Sequence, residues 1–143
     1  MAFGILPNGG IMVKKVLVVD DEWQIARLLQ VNLQQAGYEV DVAHDGREAL
    51  KKLDSYQPDL LVLDIAMPYA DGFEILEILK ADPDSRHIPV IFLTAKSHET
   101  DVFRGYQSGV DCYLTKPFEP ADVVTVVNRI FQSQEPWKTS GDL

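Results

Sequence analysis

The sequence is poor in cysteine, in positive charge and in long apolar runs, and each shortage removes a class of function. Its single Cys112 forms neither an internal disulfide nor a thiolate metal cluster, and reads as a small buried residue in a strand. No stretch approaches the ~20 apolar residues of a membrane-spanning helix, and MAFGILPNGG has neither the basic start nor the long apolar core of a signal peptide. The expectation is a cytoplasmic protein with no membrane partner. Lys and Arg total 13 against 22 Asp and Glu, and the formal charge of -9 argues against direct nucleic-acid binding. His44, His87 and His98 stand at no metal-ligand spacing and read as surface or loop residues. No repeat or low-complexity tract is present. At 46% hydrophobic and 24% charged, the 143 residues make one globular domain with a substantial core.

What is present is a regular alternation of short apolar runs and amphipathic stretches. Residues 1–13 read as a leader, disordered or derived from expression, because Pro7, Asn8, Gly9 and Gly10 break any periodicity. Val16 to Val19 is a strand ending on Asp20 and Asp21. Ile25, Leu28, Leu29, Asn32, Leu33 and Ala36 follow helical spacing, with Gly37 as the left-handed cap. Glu39 to Ala43 alternates as a strand, and Asp45 with Glu48 forms a capping-box start for a helix to about Tyr56. Leu60 to Leu63 is an apolar run of the kind buried on both faces in parallel sheets, and it ends on Asp64. Pro68, Asp71 and Gly72 lead into a helix that closes before Pro83. Pro89 to Leu93 is a fourth strand ending at Thr94. A helix over 98–108 stops at Gly109, and Val110 to Leu114 is a fifth strand, followed by Lys116 and Pro117. Pro120 opens a last helix to about Gln132, which leaves 14–132 as the folded domain and 133–143 as a tail or the start of a linker.

Five strands alternating with five helices predict a three-layer, doubly wound α/β sandwich around a five-stranded parallel sheet. Its strand ends collect polar residues on one edge: Asp20 and Asp21, Asp64, Thr94 and Lys116. If the first and third strands are neighbours, three carboxylates share a crevice at the topological switch point. Their repulsion requires protons or a cation, and an all-oxygen site with few protein ligands suits Mg²⁺.

The segments VLVVDDE, LLVLDIAMPYADGFE, PVIFLTAK and GVDCYLTKPF resemble the four signature segments of bacterial two-component response-regulator receiver domains, over roughly residues 14–132. The resemblance implies a flavodoxin-like sheet of order 2-1-3-4-5, as in chemotaxis regulators. It implies Asp64 as phosphoacceptor, Asp21 and Asp64 as direct Mg²⁺ ligands, a further ligand in the Ala66 carbonyl, and Asp20 acting through water. Thr94 would hydrogen-bond a phosphoryl oxygen and Lys116 would pair with Asp64 and then the phosphoryl group. The ring of Tyr113 would follow phosphorylation state, Ala66 and Lys96 would tune phosphoryl lifetime, and the Lys116–Pro117 bond would be cis. The implied partners are a sensor histidine kinase or histidine phosphotransfer protein as donor and a downstream target or output domain. A phosphorylation-dependent homodimer is a further implied partner, although the last helix lacks the repeated arginines of the charged dimer face.

Taken singly, these residues have plainer readings: Asp20 and Asp21 as a helix cap, Thr94 as a strand-end hydroxyl, Lys116 as solvated, Tyr113 as core. Only their order at the ends of four strands is specific. Two other functions compete, a receiver-like scaffold that is never phosphorylated and an Mg²⁺-dependent phosphohydrolase. The hydrolase wants a second acid two residues after the nucleophile, where this chain has Ala66. The apolar stripe Val123, Val127 and Ile130, widened by Val124, Val126 and Phe131, reads either as core or as a docking face near Tyr106 and Tyr113.

Overall fold

In the computed structural model, which describes residues 3–5, 11–65, 72–95 and 109–134, the alternation becomes strands and helices in turn. Strands β1 (Phe3–Ile5) and β2 (Ile11–Val13) pair antiparallel as a separate two-stranded sheet, within the segment read as a leader. After Lys14 come β3 (Lys15–Val19), helix α1 (Trp23–Gln35), β4 (Glu39–Ala43), α2 (Gly46–Ser55), β5 (Leu60–Asp64) and α3 (Gly72–Ala81). Strand β6 (Val90–Ala95), strand β7 (Cys112–Lys116) and helix α4 (Pro120–Ser133) complete the described elements.

The main sheet is parallel throughout, in the order β4-β3-β5-β6-β7. Counting only its own strands, that is 2-1-3-4-5, the expected flavodoxin-like order. Strand β5 is buried along its whole length because helices cover both faces of the sheet. Its side chains alternate between the two: Leu61 and Leu63 face the core shared with α2 and α3, while Leu60 and Val62 face that of α1 and α4. Each of these four fully buried side chains contributes about 1.5–3 kcal/mol of transfer free energy, which makes β5 a rigid base for the residue at its end.

Local signals explain where the elements stop. Gly37 follows α1 with φ of 102° and Gly109 precedes β7 with φ of 95°, a region that L side chains rarely adopt. At α2, Glu48 N–H donates to Asp45 Oδ1 at 2.8 Å, as a capping box requires. The return bond is displaced by one residue, because Glu48 Oε1 accepts from His44 N–H at 2.8 Å. Pro120 occupies the first turn of α4, where its missing N–H costs nothing.

Two strand boundaries differ from expectation. Strand β6 runs on to Ala95 and so contains Thr94. Strand β7 was expected at Val110 to Leu114 and forms at Cys112–Lys116 instead. Asp111 is the reason, since its carboxylate accepts from Val90 N–H at 2.8 Å and its own N–H donates to Val90 O at 2.9 Å before the ladder begins. Lys116 is thereby the last residue of the strand, opposite Ala95.

The wide apolar stripe of α4 is largely taken up by packing. Val123, Val127 and Phe131 are buried, and Val124, Val126 and Ile130 are partly buried against the same core. The expected helix over 98–108, together with Ala66, Pro68, Asp71, Lys96, His98 and Tyr106, lies outside the described residues. Among the described residues no helix is long and apolar enough to cross a membrane.

Candidate functional site

Parallel pairing brings the strand ends together. Val19 pairs with Leu63, so Asp20 and Asp64 extend side by side from β3 and β5. Asp64 pairs with Leu93 in β6, which sets Thr94 one residue further along that strand. One carboxylate oxygen from each of Asp20, Asp21 and Asp64 falls within a group no wider than 4.8 Å. Asp20 and Asp64 are buried and Asp21 is exposed, so the cluster opens to solvent on one side.

Lys116 closes the other side. Its Nζ stands 3.3 Å from Asp64 Oδ2, 3.3 Å from Asp20 Oδ2 and 2.9 Å from Glu22 Oε1. The Lys116–Pro117 peptide bond is cis, as the resemblance implied. One ammonium among several carboxylates leaves an excess of negative charge. Burial pushes the pKa of Asp20 up, against the opposing pull of the Glu22 amide and the Lys116 charge. Burial works against the Lys116 ammonium too, but its hydrogen bond to Glu22 and the charges of Asp20 and Asp64 outweigh that and raise its pKa.

The cap reading of the acid pair is half right. Glu22, not an aspartate, occupies the N-cap position of α1, and no side chain caps that helix. Asp20 Oδ1 nevertheless accepts from Glu22 N–H at 2.9 Å, so Asp20 shapes the turn into α1 while its other oxygen faces the cluster. That second oxygen, Oδ2, is buried without a hydrogen-bond partner, since the contact with Lys116 is an ion pair out of alignment. A buried carboxylate oxygen lacking a donor, beside two more carboxylates, is the donor set a hard divalent cation takes.

Thr94 is 1% exposed and sits within the sheet at the site edge. Tyr113 is partly buried and set back from the strand ends: it pairs with Phe92 across β6 and β7, and its ring meets that of Phe92 edge-on, with centroids 5.6 Å apart. Phe92 in turn meets Phe73 edge-on at 5.2 Å, so the ring of Tyr113 joins an aromatic chain that reaches α3. Cys112 is half-buried in β7, and burial pushes its thiol pKa up.

Three neighbours of the site were not foreseen. Glu22 directly follows the acid pair in sequence, which was the only signal for it. His44 does lie in the bend between β4 and α2, in keeping with its reading as a loop residue, and its Nδ1 is 3.2 Å from the Asp20 carbonyl oxygen. Trp23, 70% exposed, stacks on His44 with ring centroids 3.4 Å apart.

Comparison with known proteins points one way. The response regulator receiver domain family matches residues 16–128. The chain is 46% identical over 124 residues to the alkaline phosphatase synthesis transcriptional regulatory protein PhoP of Bacillus subtilis, covering 87% of this chain and 51% of that protein. It is 44% identical over 110 residues to the transcriptional regulatory protein TrcR of Mycobacterium tuberculosis, covering 77% and 42%. Among solved structures it is similar to the chemotaxis response regulator CheY4 of Vibrio cholerae, with a TM-score of 0.78, 34% identity, and coverage of 83% and 99%. The chain thus spans about half the length of the transcriptional regulators it matches.

Proposed function

The chain belongs to the response regulator receiver domain family, and from that premise we propose that Asp64 is its phosphoacceptor and Lys116 and Thr94 the groups that receive the phosphoryl charge. Receiver domains are signalling switches and not ordinary enzymes, and neither the unphosphorylated scaffold nor the phosphohydrolase is favoured beside this family match. The observation that carries the residue assignment is the approach of Lys116 Nζ to within 3.3 Å of Asp64 Oδ2, beside the convergence of Asp20, Asp21 and Asp64.

In the proposed reaction a carboxylate oxygen of Asp64 attacks the phosphorus of a phosphohistidine. A bond from oxygen to phosphorus forms, the phosphorus–nitrogen bond breaks, and the histidine nitrogen leaves with the electron pair. The product on Asp64 is an acyl phosphate. Asp20, Asp21 and Asp64, with the Ala66 carbonyl as a further proposed ligand, would hold Mg²⁺, whose charge offsets that of the carboxylates and the entering phosphoryl group. Lys116 supplies positive charge from the opposite side, its ammonium already held within 3.3 Å of Asp64. Thr94, fixed in β6, offers a hydroxyl to a phosphoryl oxygen. A phosphoryl group adds a charge of about -1.5 to -2, enough to draw that hydroxyl inward and repack the aromatic chain ending in Tyr113.

The proposed donor is a sensor histidine kinase or histidine phosphotransfer protein in the cytoplasm. Relatives named as transcriptional regulators suggest an output domain as the proposed recipient of the switch. Ala66 and Lys96 are proposed to tune the phosphoryl lifetime. The test is acetyl phosphate with Mg²⁺ followed by intact mass: the wild type gains one phosphoryl group and Asp64→Asn gains none. Undiminished labelling of Asp64→Asn would put the acceptor elsewhere.

A further inference from the structure

Among the contacts of Lys116, the shortest is not with the proposed acceptor. Its Nζ is 2.9 Å from Glu22 Oε1, against 3.3 Å from each of Asp20 and Asp64. Glu22 and Lys116 are 94 residues apart and belong to different corners of the sheet edge, the start of α1 and the end of β7. Glu22 does not use its side chain to cap α1, so helix formation does not account for where that carboxylate points. Nor is the contact an ordinary surface ion pair, because the Lys116 side chain is only 20% exposed while that of Glu22 is 55% exposed. Of the three carboxylates around this ammonium, those of Glu22 and Asp64 accept hydrogen bonds from it, while Asp20 pairs with it by charge alone.

A phosphoryl group on Asp64 brings anionic oxygens that also need this ammonium. Glu22 stands on the solvent side of Lys116, and its charge opposes an incoming anion as well as engaging the lysine. We infer that Glu22 is a positioning residue that competes with the entering phosphoryl group for Lys116, so that phosphoryl uptake requires the Glu22–Lys116 contact to open. This deepens the reading of Asp64 as acceptor and rests on it. Glu22 thereby favours the unphosphorylated form, and its removal shifts the balance towards the phosphorylated one.

The experiment uses the whole chain. Labelling rate with acetyl phosphate and Mg²⁺ is followed by intact mass, and affinity for beryllofluoride, a phosphoryl mimic, by tryptophan fluorescence. Glu22→Gln keeps the shape and removes the charge. It is expected to label faster and to bind beryllofluoride more tightly by about threefold to fivefold, the upper part of the span open to a partly exposed ion pair. Glu22→Ala should change both readouts in the same direction. In a Lys116→Ala background the effect of Glu22→Gln should shrink to less than about twofold, since a double-mutant cycle isolates what passes through the lysine. Unchanged or slower labelling by Glu22→Gln, with an active wild type, overturns the inference. Equal acceleration with and without Lys116 also overturns it, because Glu22 would then act only as a charge felt by the donor. A wild type that takes up neither phosphoryl group nor beryllofluoride instead overturns the acceptor reading beneath it.

Discussion

Gly72, the first residue of α3, lies against the end of β5, so that a Cβ placed on it would stand 3.0 Å from the Asp64 carbonyl oxygen and 2.7 Å from Ile65 Cα. Its N–H donates to Ile65 O at 3.0 Å, which ties the helix start to the backbone that carries Asp64. The two nearest neighbours are backbone atoms, which cannot yield as the end of a flexible side chain would, and Ile65 Cγ2 follows at 3.1 Å. Gly72→Ala is therefore expected to lower stability by about 1–3 kcal/mol and to slow phosphoryl labelling, because relief of the clash displaces the Asp64 backbone. Urea unfolding and the acetyl phosphate assay check the two effects. A variant as stable and as quickly labelled as the wild type would show that the strand end yields without consequence.

Asp21 is exposed and contributes one of the three clustered oxygens, so its replacement is expected to spare the core while testing the proposed cation site. Asp21→Ala should weaken Mg²⁺ binding by at least about tenfold, a loss that even a supporting residue near a metal produces. Trp23, two residues along and stacked on His44 beside Asp20, is a fluorescence reporter for a Mg²⁺ titration in a Trp137→Phe background. Equal affinities in the presence and absence of Asp21 would place the cation away from this cluster.

The parts of the fold that sequence foretold are those set by local chemistry. Leu60 to Leu63 announces a buried parallel strand, Gly37 a helix stop, and the Asp45–Glu48 pair a helix start, and each signal lies within a few residues of its effect. Tertiary contacts are less legible. Leu28 was counted on the apolar face of α1 but is 48% exposed, while Ala26, too small to stand out in the pattern, is fully buried. The start of β7 depends on Asp111 reaching Val90 on another strand, and the sequence alone does not show that pairing. In the site, the acids at the ends of β3 and β5 were visible because charge interrupts an apolar run. Glu22 and His44 were not, since their roles come from Lys116 and from the backbone of Asp20.

The buried position of Asp20 gives the site a pH signature. Its pKa is raised from the ordinary 3.8 by burial, so folding favours the protonated acid. The sign follows from proton linkage: the favourable contribution is fully present below 3.8 and is lost as pH rises through the raised value. At neutral pH the ionised Asp20 therefore costs stability when no cation is bound. Asp20→Asn keeps an oxygen for the Glu22 amide and removes the charge, and Lys116 retains Glu22 and Asp64 as partners. In EDTA the variant should be more stable than the wild type at pH 7 by about 1–3 kcal/mol, within the range for relieving a buried charge, with the advantage gone near pH 3. Mg²⁺ should reverse the order or narrow it, since a cation that binds only the folded wild type stabilises that form. Urea unfolding at pH 3, 5 and 7, with and without Mg²⁺, provides the measurement. If Asp20→Asn were less stable than the wild type in EDTA at pH 7, Asp20 would be a net contributor to the fold through Lys116, and the strained acidic cluster would not exist.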